Sequence, residues 1–297
     1  MMKPFYNFQA AVVGGDSRQI AVAVAFIDLF KEVKLYGHPQ VDIPDGVVPG
    51  LNWDELREAS VILLPVSGMN DQGLIRSYRI DQPIDFGGLI PDLTPGTLIV
   101  TGVFTPKWLQ IANELGLKVL QYAEDDELAI LNSIPTAEGA VQLAMEELPV
   151  TIHGSRVIVI GLGRVGLTTA RIFKSLNAHV IVSARKPGSL ARAREMGCKG
   201  VPIKDLANCI SKADIIINTV PALILDETLL VKVKPESVII DLASPPGGTD
   251  FKAAEKLNLK AILAPGLPGK VAPKTAGKIL ASAIPKMIQQ FFMDGGA

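Results

Sequence analysis

The residues best suited to chemistry lie in one run, Arg156-Val157-Ile158-Val159-Ile160-Gly161-Leu162-Gly163-Arg164-Val165-Gly166. An apolar strand leads into G-x-G-x-x-G spacing, which opens a helical segment; in that context the motif signals dinucleotide binding. Gly161 permits the tight turn, Gly163 lets the backbone approach a pyrophosphate, and Gly166 lets helix and strand pack closely. The first-turn N–H groups around Arg164 and Val165 then face the phosphates.

The next strand, His179–Val182, ends in Ser183-Ala184-Arg185-Lys186. An NAD site places Asp or Glu about 20 residues past the glycines to hold the ribose hydroxyls. No carboxylate follows here until Glu195. A hydroxyl and a guanidinium stand instead where a 2′-phosphate would sit, with Lys186 adjacent, and Arg suits phosphate by its forked donors. The expected cofactor is therefore NADP rather than NAD; the other reading of Arg185 is a solvated loop charge. Asn218-Thr219-Val220-Pro221 follows the strand Ile215–Ile217, and Asp241 ends the strand after that. Both positions are expected to face the nicotinamide end of the cofactor. Each also reads as an ordinary turn.

The N-terminal part has its own glycine turn, Gly14-Gly15-Asp16-Ser17-Arg18-Gln19, without dinucleotide spacing. A helix N-terminus with Arg18 is a seat for a carboxylate or phosphate, unless Arg18 is a surface helix charge. Pro65-Val66-Ser67-Gly68 and Thr101-Gly102-Val103 end two other strands, and ligands of open α/β sheets lie at such ends. Near the C-terminus a Pro- and Gly-rich loop, Ala264–Gly277, carries Lys270 and Lys274 at the start of a helix. Lysines there oppose the helix dipole, so either an anionic ligand relieves both or the loop is a plain hinge. The three histidines are poorly placed for a general base: His38 in a loop, His153 before the motif strand, His179 at a strand start. That weakens an ordinary hydroxy-acid dehydrogenase, a serine hydrolase and a metal site alike.

Short apolar runs alternate with helix-length segments along most of the chain. The strands expected are Ala10–Val13, Val33–Tyr36, Val61–Leu64, Leu98–Thr101, Lys118–Leu120, Val157–Ile160, Val180–Val182, Ile215–Ile217, Val238–Ile240 and Ala261–Leu263. Their continuous apolar character fits strands buried on both faces. The fold class is α/β, with two doubly wound parallel-sheet domains, the second a Rossmann NAD(P)-binding domain. Residues 1–124 are expected to form a flavodoxin-like or Rossmann-like substrate domain, 125–150 a connector helix and 151–272 the NADP-binding domain. Pro135 and Gly139 predict a kink or break in the connector. The last helical segment, residues 273–292, is expected to pack back on the first domain. Gly37–Pro49 and Gln82–Pro95 read as loops.

The 297 residues, 48% hydrophobic and 20% charged, suit two globular domains. With 29 basic against 30 acidic residues, nucleic acid is not the expected partner. Two cysteines, Cys198 and Cys209, form neither a redox pair nor a zinc knuckle. No apolar run approaches the about 18 residues of a membrane span, so a cytoplasmic location is expected.

The Gly14–Gln19 turn, the segment Asn132-Ser133-Ile134-Pro135-Thr136-Ala137-Glu138-Gly139-Ala140, the Gly161 motif and the Pro265–Gly277 loop together resemble the dipicolinate synthase A-subunit family. The resemblance spans essentially the whole chain. It implies a protein that works with a second, B-type dipicolinate synthase polypeptide to make pyridine-2,6-dicarboxylate from dihydrodipicolinate, in the mother-cell cytoplasm of sporulating bacteria, and a homo-oligomer is expected. The plan is also similar to the D-2-hydroxyacid dehydrogenases, without their catalytic histidine. Under this resemblance the nicotinamide of NADP faces an interdomain cleft. Gly14, Gly15, Asp16 and Arg18 hold one carboxylate of the dianionic substrate, and Lys270 or Lys274 the other. Aromatisation supplies the thermodynamic pull, so a weak acceptor such as Ser67 or Glu138 suffices for the proton. Two other readings stay open: an NADP-dependent oxidoreductase on a hydroxy or imino acid with Glu138 or Asp241 as base, and a non-catalytic NADP-binding regulatory protein.

Overall fold

The computed structural model describes residues 5–39, 43–77 and 81–295. Residues 40–42 of the first predicted loop lie outside them. The chain divides into two compact units, one reaching Ala129 and resuming at Pro273, the other Ile130–Ala272.

In the first unit, β1 (Phe5–Val13) leads into α1 (Ser17–Phe26), then β2 (Phe30–Tyr36), β3 (Val48–Gly50) and β4 (Val61–Leu63). A two-stranded hairpin, β5 (Leu74–Ile75) and β6 (Ile84–Asp85), precedes β7 (Leu98–Thr101), α2 (Pro106–Glu114) and β8 (Lys118–Gln121). The sheet order is β3-β2-β1-β4-β7-β8, parallel throughout. Alternation along β1 explains the uninterrupted apolar run: Ala10 and Val12 enter one core with Val22, Phe26 and Leu280, whereas Ala11 and Val13 enter another with Ile75, Phe86 and Trp108.

α3 (Asp126–Glu147) begins in the first unit and continues into the second. The expected break in it is corrected: the helix runs unbroken through Pro135. Proline removes one helical N–H donor; beside it the Thr136 hydroxyl donates to the Asn132 carbonyl at 2.8 Å. Gly139 is a packing site, since a Cβ there would lie 3.1 Å from the Leu267 Cβ.

The second unit continues with β9 (Arg156–Ile160), α4 (Arg164–Ser175), β10 (His179–Ala184), α5 (Pro187–Glu195), β11 (Lys199–Pro202), β12 (Ile215–Asn218), α6 (Glu227–Leu230), β13 (Val238–Asp241), α7 (Phe251–Lys256), β14 (Lys260–Leu263) and α8 (Leu267–Val271). Its order, β11-β10-β9-β12-β13-β14, is again parallel and has the topology of a dinucleotide-binding fold.

α9 (Pro273–Met293) returns to the first unit and packs on α1. A Cβ on Gly277 would lie 3.0 Å from the Ala21 Cβ and 3.4 Å from the Arg18 Cα. At its other end Phe292 meets Phe5 and Phe8, with ring centroids 5.1 and 5.5 Å apart. β1 starts at Phe5 and hands over to α1 near Arg18, so α9 runs parallel to α1. Both helices therefore start at the carboxyl edge of the first sheet. Among the described residues no helix is long and apolar enough to cross a membrane.

Candidate functional site

In the second unit β9 ends at Ile160 and is followed by Gly161, whose φ of +89° is left-handed and suits glycine. Its N–H donates to the Ser183 carbonyl at 2.8 Å, which joins the turn to the end of β10. The Thr219 hydroxyl closes the turn from below by donating to the Ile160 carbonyl at 2.8 Å. A Cβ on Gly166 would fall 2.4 Å from the Gly161 carbonyl oxygen, so this glycine makes room for protein. Gly163 differs, because a Cβ there would meet nothing within 4 Å. It faces an open cavity of about 340 Å³ that is also lined by Ser183, Arg185, Lys186, Thr219 and Ile224.

Gly163 is also the N-cap of α4 and offers no side chain to its first turn. The first-turn N–H groups of Arg164, Val165 and Gly166 are thus the donors a phosphate would use. Among the described residues no carboxylate lines the cavity. The Ser183 side chain is fully buried and its Oγ has no hydrogen-bond partner among the described residues, while Arg185 and Lys186 are exposed at the rim. Room above Gly163, two cations at the rim and the first-turn N–H groups of α4 fit the phosphates of a dinucleotide cofactor.

Asn218 and Asp241 require a correction. Both are fully buried and, unlike Ser183, neither lines the cavity. Asp241 accepts from the Asn218 amide, the Ala243 and Gly248 N–H groups and the Thr249 hydroxyl, at 2.7–3.1 Å. Asn218 in turn brackets Val220, accepting from its N–H at 3.1 Å and donating to its carbonyl at 3.0 Å. Thr219, Val220 and Pro221 do line the cavity.

The Gly14-Gly15 turn is corrected too, because it is not an open anion seat. Gly14 and Gly15 are buried, and their N–H groups donate to the Tyr36 and Arg76 carbonyls at 2.9 Å each. Asp16 caps α1 by accepting from the Arg18 N–H, and the Gln19 side chain accepts from the Asp16 N–H at 3.0 Å. Arg18 is 8% exposed and its Nε and Nη2 hold the Asp16 carboxylate at 2.8–3.1 Å. Nη1 has no acceptor among the described residues. Tyr122 lies behind this pair, its hydroxyl donating to the Leu64 carbonyl at 3.0 Å, and burial pushes its phenol strongly up.

Ser67 is exposed at the end of β4, on the same sheet edge as Arg18. Lys274 is exposed in the first turn of α9, one turn before the Gly277 contact with Arg18, so the fold brings two cations far apart in sequence to one edge. Glu138 on α3 and Lys270 in the last turn of α8 are exposed and belong to the second unit. Sequence reasoning missed Ser189, Ile203 and Ile224 in the cavity wall. Ser189 sits in the first turn of α5, where Pro187 at N1 is the readable start signal. Ile203 follows the edge strand β11, whose Gly200 and Pro202 mask it.

Residues 9–123 match the family model for the N-terminal domain of the dipicolinate synthase A-subunit, and residues 132–297 the model described as alanine dehydrogenase/PNT, C-terminal domain. The chain is 40% identical over 293 residues to the dipicolinate synthase A-subunit of Bacillus subtilis (strain 168), covering 98% of this chain and 99% of that one. The crystal structure of the dipicolinate synthase A-subunit from Bacillus halodurans superposes with a TM-score of 0.88 at 37% identity, over 95% of this chain and 98% of that one. The A chain of dipicolinate synthase from Bacillus subtilis gives 0.87 at 38% identity, over 99% of both.

Proposed function

The chain belongs to the dipicolinate synthase A-subunit family, and from that premise we propose that it oxidises dihydrodipicolinate to pyridine-2,6-dicarboxylate with NADP, in company with a B-type dipicolinate synthase polypeptide. The second unit has a nicotinamide-cofactor-binding fold. The observation that carries the NADP reading is the cavity wall at the end of β10: no carboxylate, an unpartnered buried Ser183 hydroxyl, and Arg185 with Lys186 at the rim. A carboxylate there would bind ribose hydroxyls and repel a 2′-phosphate, whereas these groups attract it.

When bound, NADP+ supplies the hydride acceptor. The first turn of α4 would hold the pyrophosphate through the Arg164, Val165 and Gly166 N–H groups, and Ser183, Arg185 and Lys186 would hold the 2′-phosphate. In the first unit Asp16 locks Arg18 in one orientation and leaves Nη1 to bind a substrate carboxylate, with Lys274 and the start of α9 adding positive potential. The dihydropyridine ring loses one hydride and one proton and becomes aromatic, so the proton needs only a weak acceptor. Ser67, with its exposed hydroxyl, and Glu138, with its exposed carboxylate, are the candidates. The same reading places the reaction in the mother-cell cytoplasm of a sporulating cell.

The test is titration of the purified chain with NADPH and NADH. NADPH is expected to bind roughly tenfold or more tightly, the worth of one charge-assisted contact. Equal affinities, or tighter NADH, would sink the NADP assignment.

A further inference from the structure

We infer that Asp241 is a positioning residue for the cofactor cavity, a buried carboxylate that sets its wall through two loops without touching the cofactor. The inference rests on the reading that this cavity holds NADP(H).

Asp241 ends β13 with no exposed surface, and each of its oxygens accepts two hydrogen bonds. All four donors are neutral, and no cation pairs with it among the described residues. Burying a carboxylate costs more than burying an apolar side chain of the same size. What the carboxylate adds is geometry: it only accepts, so every neighbour must turn a donor towards it.

That requirement fixes the Asn218 amide. Its Nδ2 must face Asp241, which turns its Oδ1 to the Val220 N–H, so both backbone polar groups of Val220 are held. The other carboxylate oxygen fixes Gly248, whose carbonyl accepts from the Ile224 and Leu225 N–H groups at 2.9 Å each. A Cβ on Gly248 would lie 2.4 Å from the Ala222 carbonyl oxygen and 2.5 Å from that of Val220, so the two loops are in backbone contact. Val220 and Ile224 both line the cavity. One carboxylate thus holds the wall at both of its ends.

Asp241→Asn puts an NH2 group where an acceptor stood. Whichever way the new amide turns, it opposes either the Asn218 amide and Ala243 N–H or the Gly248 N–H. NADPH affinity, measured by calorimetric titration well below the melting temperature, is expected to fall about tenfold. Backbone deuterium uptake is expected to rise at 220–225 and 248 while β9, α4 and β10 keep their protection. Thr249→Val removes one donor and leaves the carboxylate. It is the variant to use if Asp241→Asn does not fold, with an expected loss of about threefold. Unchanged NADPH affinity in the folded variants, even with a lowered melting temperature, would overturn the inference and leave a purely structural network. Wild-type chain that binds no NADPH would overturn the cofactor reading and the inference together.

Discussion

The Thr219 hydroxyl occupies the space beside Gly161 that a side chain would need: a Cβ on Gly161 would lie 2.6 Å from Thr219 Oγ1. The same oxygen would be 3.0 Å from a Cβ on Gly166. The three motif glycines therefore do two kinds of work. Gly161 and Gly166 make room for the end of β12 and for each other, whereas a Cβ on Gly163 would stand in open space at the cavity.

Substitutions should separate the two. Gly166→Ala forces a Cβ against the Gly161 carbonyl, and overpacking of this kind costs about 1–3 kcal/mol. It is expected to lower the melting temperature in calorimetry. Gly163→Ala has space and an ordinary backbone conformation. It is expected to melt like the wild type and to lose NADPH binding. The reverse pattern would show that Gly163 faces no ligand.

Arg185→Ala should act on one cofactor only. Removing a charge-assisted hydrogen bond worth about 1.5–3 kcal/mol is expected to raise the KM for NADP+ by roughly 10- to 150-fold and to leave the KM for NAD+ nearly unchanged. Steady-state kinetics with both cofactors checks this. Equal changes in the two would remove Arg185 from the 2′-phosphate.

Arg18→Ala is expected to do double damage. It leaves Asp16, whose side chain is 15% exposed, without its cation. The pair is part-buried, so breaking it from one side is expected to cost less than the about 3–5 kcal/mol of a fully buried pair. In addition kcat/KM is expected to fall roughly 10- to 150-fold through loss of a carboxylate contact. The double variant Asp16→Asn with Arg18→Gln should recover much of the melting temperature and none of the activity. Full activity in that double variant would place the substrate elsewhere.

Acid sensitivity should trace in part to Asp214. Burial pushes its carboxyl up, but the Arg156 N–H at 2.6 Å and the Lys234 ammonium more than offset this and hold it below the usual carboxylate range. A depressed carboxyl contributes stability above its unfolded pKa, about 3.9, and loses it as pH falls through the folded value. Urea melts of the wild type should therefore lose stability more steeply below about pH 4 than those of Asp214→Asn. Parallel acid limbs would remove Asp214 as a contributor.

How much of this the sequence discloses depends on the range of the forces involved. The two parallel sheets are legible because strands such as Val157–Ile160 are apolar on both faces. The glycine motif is legible because strand, turn and helix are contiguous. Other features are not. Asp241 reads equally well as an exposed strand-end ligand, since its donors Gly248 and Thr249 reach it only after the chain reverses. The closed Gly14-Gly15 turn did carry a local sign, an Asp16 N-cap with Gln19 three residues on, which is a capping pair that satisfies the helix start from within. The approach of α9 to Arg18 depends on Gly277 meeting Ala21, a contact no local pattern announces. β11 is hard to read because Gly200 and Pro202 are poor strand formers.

The central claim is NADP-linked formation of an aromatic dicarboxylate. The most direct measurement mixes purified chain, freshly generated dihydrodipicolinate and either NADP+ or NAD+, with and without the B-type polypeptide, and follows reduced cofactor by absorbance and dipicolinate by chromatography. Reduced cofactor and dipicolinate are expected in equal amounts, faster with NADP+ than with NAD+. Turnover that prefers NAD+, or none in any mixture from a chain that binds NADPH, would contradict it.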